Sequence, residues 1–86
     1  MERLTQRTDS GEYVLAEGVT QTAAVERLAG YENAHQFLLG ELEKAEAKLA
    51  SMRGQGKGRS TAFQQALAEK MYLMTLVERL EKPPRR

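Results

Sequence analysis

The chain has 86 residues, 13 Lys+Arg against 12 Asp+Glu, one His, and neither Cys nor Trp. At this length it holds one small domain that hides only about 60–65% of its extended surface on folding, with no room for an interdomain cleft. The missing cysteines exclude a disulfide framework, a thiolate zinc site and a Cys nucleophile.

No apolar run approaches the ~18 residues of a membrane span, and Met1-Glu2-Arg3-Leu4-Thr5-Gln6 does not read as a signal peptide. The expectation is a soluble, cytoplasmic protein with no membrane partner. Charge is uneven along the chain. Residues 1–30 carry a net −2, residues 31–53 a net −1, and residues 54–86 a net +4. An anionic partner would be drawn to the C-terminal part, although an excess of four is modest for a duplex-DNA binder.

Residues 4–8 and 12–16 read as a β-hairpin around Asp9-Ser10-Gly11. Asp suits the start of a type I turn, and Gly supplies a positive φ. Two strands alone are marginal in water, so this hairpin needs support. Gly18 breaks the pattern. Thr20 or Thr22 can then cap a short helix through Ala23, Ala24, Val25, Leu28 and Ala29, with Gly30 as its stop. Asn33 and Gln36 have the spacing of a capping box and open the next helix, over about 34–53. In it Leu38, Leu42, Ala45, Leu49 and Met52 recur at intervals of four, three, four and three, a 3.5-residue stripe. Glu41, Glu43, Lys44, Glu46 and Lys48 lie off that stripe, and Glu41 can pair with Lys44.

Arg53-Gly54-Gln55-Gly56-Lys57-Gly58-Arg59 has too much glycine for a helix interior. A second long helix follows to about Lys82, capped by Ser60 or by Thr61 with Gln64, and stopped by Pro83-Pro84. Two long helices on a short loop predict an antiparallel hairpin. The fold class is therefore mostly α: a helical hairpin over 33–82 in a single domain. An N-terminal β-hairpin and short helix occupy 1–32, and a basic tail 83–86. Within residues 71–80 only Thr75, Glu78 and Arg79 are polar. A helix apolar around most of its girth is buried on more than one side. A homo-oligomer contacting through Met71, Met74, Val77 and Leu80 is the expectation.

No catalytic constellation is present, and the chain is expected not to be an enzyme. His35 is the sole histidine, so a metal site with two imidazoles from one chain is excluded, and no metal or cofactor is expected. Glu41, Glu43 and Glu46 read as a solvated face. Ser60 and Thr61 have no nearby base. The loop is the one chemically suggestive place. Gly54, Gly56 and Gly58 expose backbone N–H groups, Arg53, Lys57 and Arg59 add charge, and Ser60 and Thr61 place hydroxyls at a helix N-terminus. It is no Walker A loop, because Gly58 follows Lys57 and no strand precedes it. The segment reads either as an anion site or as a soluble turn. Tyr13, Tyr31 and Tyr72 read as packing residues that could also stack on a base.

Two resemblances add direction. Met1-Glu2-Arg3-Leu4-Thr5 and Val25-Glu26-Arg27-Leu28-Ala29-Gly30-Tyr31-Glu32 resemble the start of small phage and prophage accessory proteins of Gram-positive bacteria. Gly56-Lys57-Gly58-Arg59-Ser60, with Lys70-Met71 further along, is similar to their C-terminal part. The second helix also resembles the helical-hairpin sponges with which phages sequester cyclic-nucleotide immune signals. Arg59-Ser60, Ala62 and Tyr72 fall at comparable spacing, while Ala66-Leu67-Ala68-Glu69 departs from the acidic run common there. That resemblance implies anti-defence ligand binding between protomers of an oligomer; joined to the anion-site reading of the loop, it gives a small phosphorylated ligand held by Arg53, Lys57, Arg59, Ser60, Thr61 and Tyr72 as the expectation. Two further classes stay open. One is a protein-binding inhibitor of a bacterial defence nuclease, of the anti-CRISPR type. The other is a nucleic-acid-binding phage regulator using Arg53, Lys57, Arg59, Arg79, Lys82, Arg85 and Arg86.

Overall fold

A computed structural model describes residues 2–84 of the chain. Met1, Arg85 and Arg86 lie outside the described residues, and with them the end of the basic tail. Two strands and two helices follow one another: β1 (Thr5–Arg7), β2 (Tyr13–Leu15), α1 (Gln21–Gly54) and α2 (Thr61–Glu81). The chain forms two compact units, Met1–Asn33 and Ala34–Arg86, and α1 runs from the first into the second. No helix among the described residues is long and apolar enough to cross a membrane.

In the first unit β1 and β2 pair antiparallel, with Thr5 opposite Leu15, Gln6 opposite Val14 and Arg7 opposite Tyr13. The ladder is extended by Ala16 N–H donating to the Leu4 carbonyl (2.9 Å) and Thr8 N–H to that of Glu12 (2.7 Å). Gly11 turns the chain at φ +88°, the left-handed conformation expected of the glycine in this loop. The guanidinium groups of Arg3 and Arg7 lie 5.9 and 6.0 Å from the centre of the Tyr13 ring. Thr20, not Thr22, starts α1: its hydroxyl accepts from Ala23 N–H at 3.1 Å, and its carbonyl from Ala24 N–H. Arg27 Nη1 donates to the Glu2 carbonyl at 2.8 Å, holding the N-terminal stretch to the helix. None of the described residues of this unit is buried.

The short helix does not stop at Gly30, and Asn33 with Gln36 caps nothing: all three lie inside α1. Gly30 keeps an ordinary negative φ rather than the left-handed one a terminating glycine adopts. The energies explain this correction. Glycine inside a helix costs about 1 kcal/mol relative to alanine. A break would instead leave up to four N–H and four C=O groups without helical partners. No proline follows Gly30 to force one.

The second unit is the antiparallel helical hairpin. His35 Nε2 meets Glu81 Oε2 at 2.9 Å at its open end, and the Arg53 guanidinium lies 5.2 Å over the Phe63 ring at its closed end. Every stripe residue of α1 is buried or half-buried, from Leu38 through Leu42, Ala45 and Leu49 to Met52. The buried residues are Ala45 and Leu49 from α1 with Phe63, Ala66, Leu73 and Val77 from α2, and among the described residues only Leu49 is almost fully enclosed, at 1% exposure. Met52 and Leu67 pack against the Leu49–Phe63–Ala66 cluster. Lys44 Nζ and Glu41 Oε1 pair at 3.4 Å, as their spacing predicts. Val77 corrects the expected oligomer surface. It shares the buried line of Phe63, Ala66 and Leu73 and is 6% exposed, so the hairpin itself uses it. Met71, Met74 and Leu80 remain exposed.

Candidate functional site: the basic end of the helical hairpin

The turn between the helices is held by two caps. Gly56, at φ +75°, sits just past the end of α1. Its N–H donates to the Arg53 carbonyl at 3.0 Å, and Lys57 N–H donates to that of Met52 at 2.8 Å. These are the two bonds of a Schellman motif, which satisfies the last carbonyls of α1. Ser60 then caps α2 from extended backbone, its hydroxyl accepting from Phe63 N–H at 3.1 Å. The same hydroxyl donates to the Lys57 carbonyl at 2.8 Å. Gln64 N–H donates to the Ser60 carbonyl, so the Thr61–Gln64 capping box is not formed.

These bonds revise the anion-site expectation. The N–H groups of Gln55, Gly56, Lys57 and Ser60 all have backbone acceptors, so Gly56 does not offer its N–H to a ligand. The Ser60 hydroxyl is engaged both as donor and as acceptor. Thr61 is exposed at the first position of α2, where its hydroxyl can still be offered outward. Lys57 and Arg59 are exposed, and neither they nor Arg53 form an ion pair among the described residues. Tyr72 is 64% exposed but lies eleven residues along α2 from Thr61. At about 1.5 Å per residue that is ~16 Å of helix, so one chain does not bring it to the loop.

The charge is the site's strongest feature. Between Ala47 and Ala68 the chain carries Lys48, Arg53, Lys57 and Arg59 and no carboxylate. The antiparallel fold gathers this stretch at one end of the hairpin. Lys48 was not among the expected site residues. The signal that identifies it is the gap between Glu46 and Glu69 in the sequence, folded about the glycine turn.

Elsewhere the chemistry is sparse. Among the described residues every buried side chain is apolar, and no three His, Asp or Glu side chains gather where they could hold a metal ion. In the first unit an apolar groove of about 480 Å³ runs between Arg3–Thr5 and the α1 residues Ala24, Leu28 and Tyr31, with Arg27 beside it. Tyr13 lies under two arginines rather than presenting a bare face. Comparison with protein-family models, with curated proteins and with solved structures gives no match.

Proposed function

We propose that the chain is a non-catalytic binding protein whose basic hairpin end takes up a small phosphorylated ligand of the cyclic-nucleotide class. The observation that carries this reading is the positive stretch from Lys48 to Arg59, free of carboxylates and held on a turn in which the N–H groups of Gln55, Gly56, Lys57 and Ser60 and the Ser60 hydroxyl are already bonded. A turn capped in this way keeps its shape without a ligand, so binding costs little ordering entropy. Lys57 and Arg59 supply charge-assisted hydrogen bonds to phosphate oxygens, and the Thr61 hydroxyl adds a directed donor. In this reading the ligand is held and released unchanged. The resemblance to phage sponge proteins gives this chemistry a role, the sequestering of an immune signal in the host cytoplasm.

The test is calorimetric titration with cyclic di- and trinucleotides beside a duplex-DNA titration across salt concentrations. A charged hydrogen bond is worth about 1.5–3 kcal/mol, so Arg59→Ala is expected to weaken nucleotide binding roughly tenfold to a hundredfold. Lys57→Ala with Arg59→Ala should abolish it and leave the helical circular dichroism unchanged. The nucleotide should be recovered unmodified after denaturation. Tight DNA binding with a steep salt slope and no nucleotide binding would instead assign a nucleic-acid regulator. Co-purification with a defence nuclease, again without nucleotide binding, would assign a protein inhibitor.

A further inference from the structure

In the first unit β1 is paired on one side. The sheet has two strands, so among the described residues no strand pairs with the outer edge of β1. Leu4, Gln6 and Thr8 turn their main-chain groups toward β2. The Leu4 carbonyl accepts from Ala16 N–H, Gln6 stands opposite Val14, and Thr8 N–H donates to the Glu12 carbonyl. These groups alternate along a strand, so those of Thr5 and Arg7 point outward along the free edge. Such an edge is a template for one more strand. Arg3, Leu4 and Thr5 also form one wall of the groove of about 480 Å³, facing Ala24, Leu28 and Tyr31 of α1.

Charge selects what the edge can take. Arg3, Thr5 and Arg7 share one face of the strand, because side chains alternate along it. Neither arginine forms an ion pair among the described residues, and each lies over the Tyr13 ring instead. An exposed cation–π contact is weaker than a charge-assisted hydrogen bond, so a carboxylate can draw either guanidinium from the ring. A second copy's β1 laid in register would set Arg3 against Arg7 twice, and opposed like charges disfavour that pairing. We propose that the outer edge of β1 takes up an extended peptide as a third strand, with acidic residues opposite Arg3 and Arg7 and an apolar one opposite Leu4. Running antiparallel, Glu-Thr-Val-Leu-Glu meets these conditions. Its Val exchanges main-chain hydrogen bonds with Thr5, and its Leu falls beside Leu4 at the groove. The basic turn of the second unit plays no part in this.

The probe is that peptide with both ends capped, titrated to millimolar concentration into the full chain and followed by amide NMR. Shifts are expected at Thr5 and Arg7 and over residues 24–31, with the turn residues 54–59 unmoved. Replacing both glutamates of the peptide by lysine, or N-methylating its valine, should weaken binding at least roughly tenfold. Arg3→Glu with Arg7→Glu should reverse the preference in favour of the lysine peptide. Both side chains are exposed, and cross-strand contacts between Gln6 and Val14 in the same spectra show that the hairpin is kept. No shift at millimolar peptide overturns the proposal, as does equal binding of the lysine or N-methyl peptide. Movement of the same amides with protein concentration alone also overturns it, and gives the edge to another copy of the chain.

Discussion

Ser60 holds the start of α2 with one oxygen. It accepts from Phe63 N–H and donates to the Lys57 carbonyl, so loop and helix meet at a single side chain. Removing an N-cap hydroxyl costs about 0.5–2 kcal/mol. Ser60→Ala is therefore expected to lower stability by roughly 1 kcal/mol in urea denaturation. Ser60→Asp should keep the cap, because a carboxylate accepts the same N–H and suits the positive end of the helix. The cap alone could have been read as Ser60 or Thr61, since both residue types satisfy the same N–H groups. Residue type also suggested a free hydroxyl and free glycine N–H groups at this turn. The Ser60 hydroxyl and the Gly56 N–H are instead bonded to main-chain atoms, which no side-chain pattern announces.

The long α1 shows where pattern and punctuation disagree. The 3.5-residue stripe from Leu38 to Met52 was legible because burial of that face determines those residues, and all five are covered. Gly30 and Asn33 were misleading because they are stop and start signals only when the chain also leaves helical φ and ψ. Here it does not. Gly30 and Gly40 both lie within α1, and a β-carbon added at either meets nothing within 4 Å. Gly30→Ala and Gly40→Ala should each stabilise the helix by about 0.5–1 kcal/mol, through loss of unfolded-state freedom. Thermal midpoint and helical ellipticity would rise together. A fall at Gly30 would show that the helix needs glycine there to bend.

At the scale of the whole molecule, stability is expected to be unevenly shared. Among the described residues the six buried side chains run from Ala45 to Val77, and none before Ala34 is buried. Burying a Leu, Val or Phe contributes about 1.5–3 kcal/mol, so the hairpin gains this term repeatedly, while the first unit has only partial cover. Its two three-residue strands pair with each other alone, and a two-stranded sheet is marginal by itself. Segments with few buried contacts open without global unfolding, and their amides exchange accordingly. Hydrogen exchange should therefore be slowest over residues 42–52 and 63–77. The ladder amides of Gln6 and Val14 are expected to exchange more than roughly tenfold faster, a gap of about 1.4 kcal/mol in opening free energy. A ligand at the Lys57–Arg59 turn should slow exchange in the hairpin and leave the strand amides unchanged. Equal protection across both units would mean that they unfold as one, with the first unit drawing its stability from beyond its own buried surface.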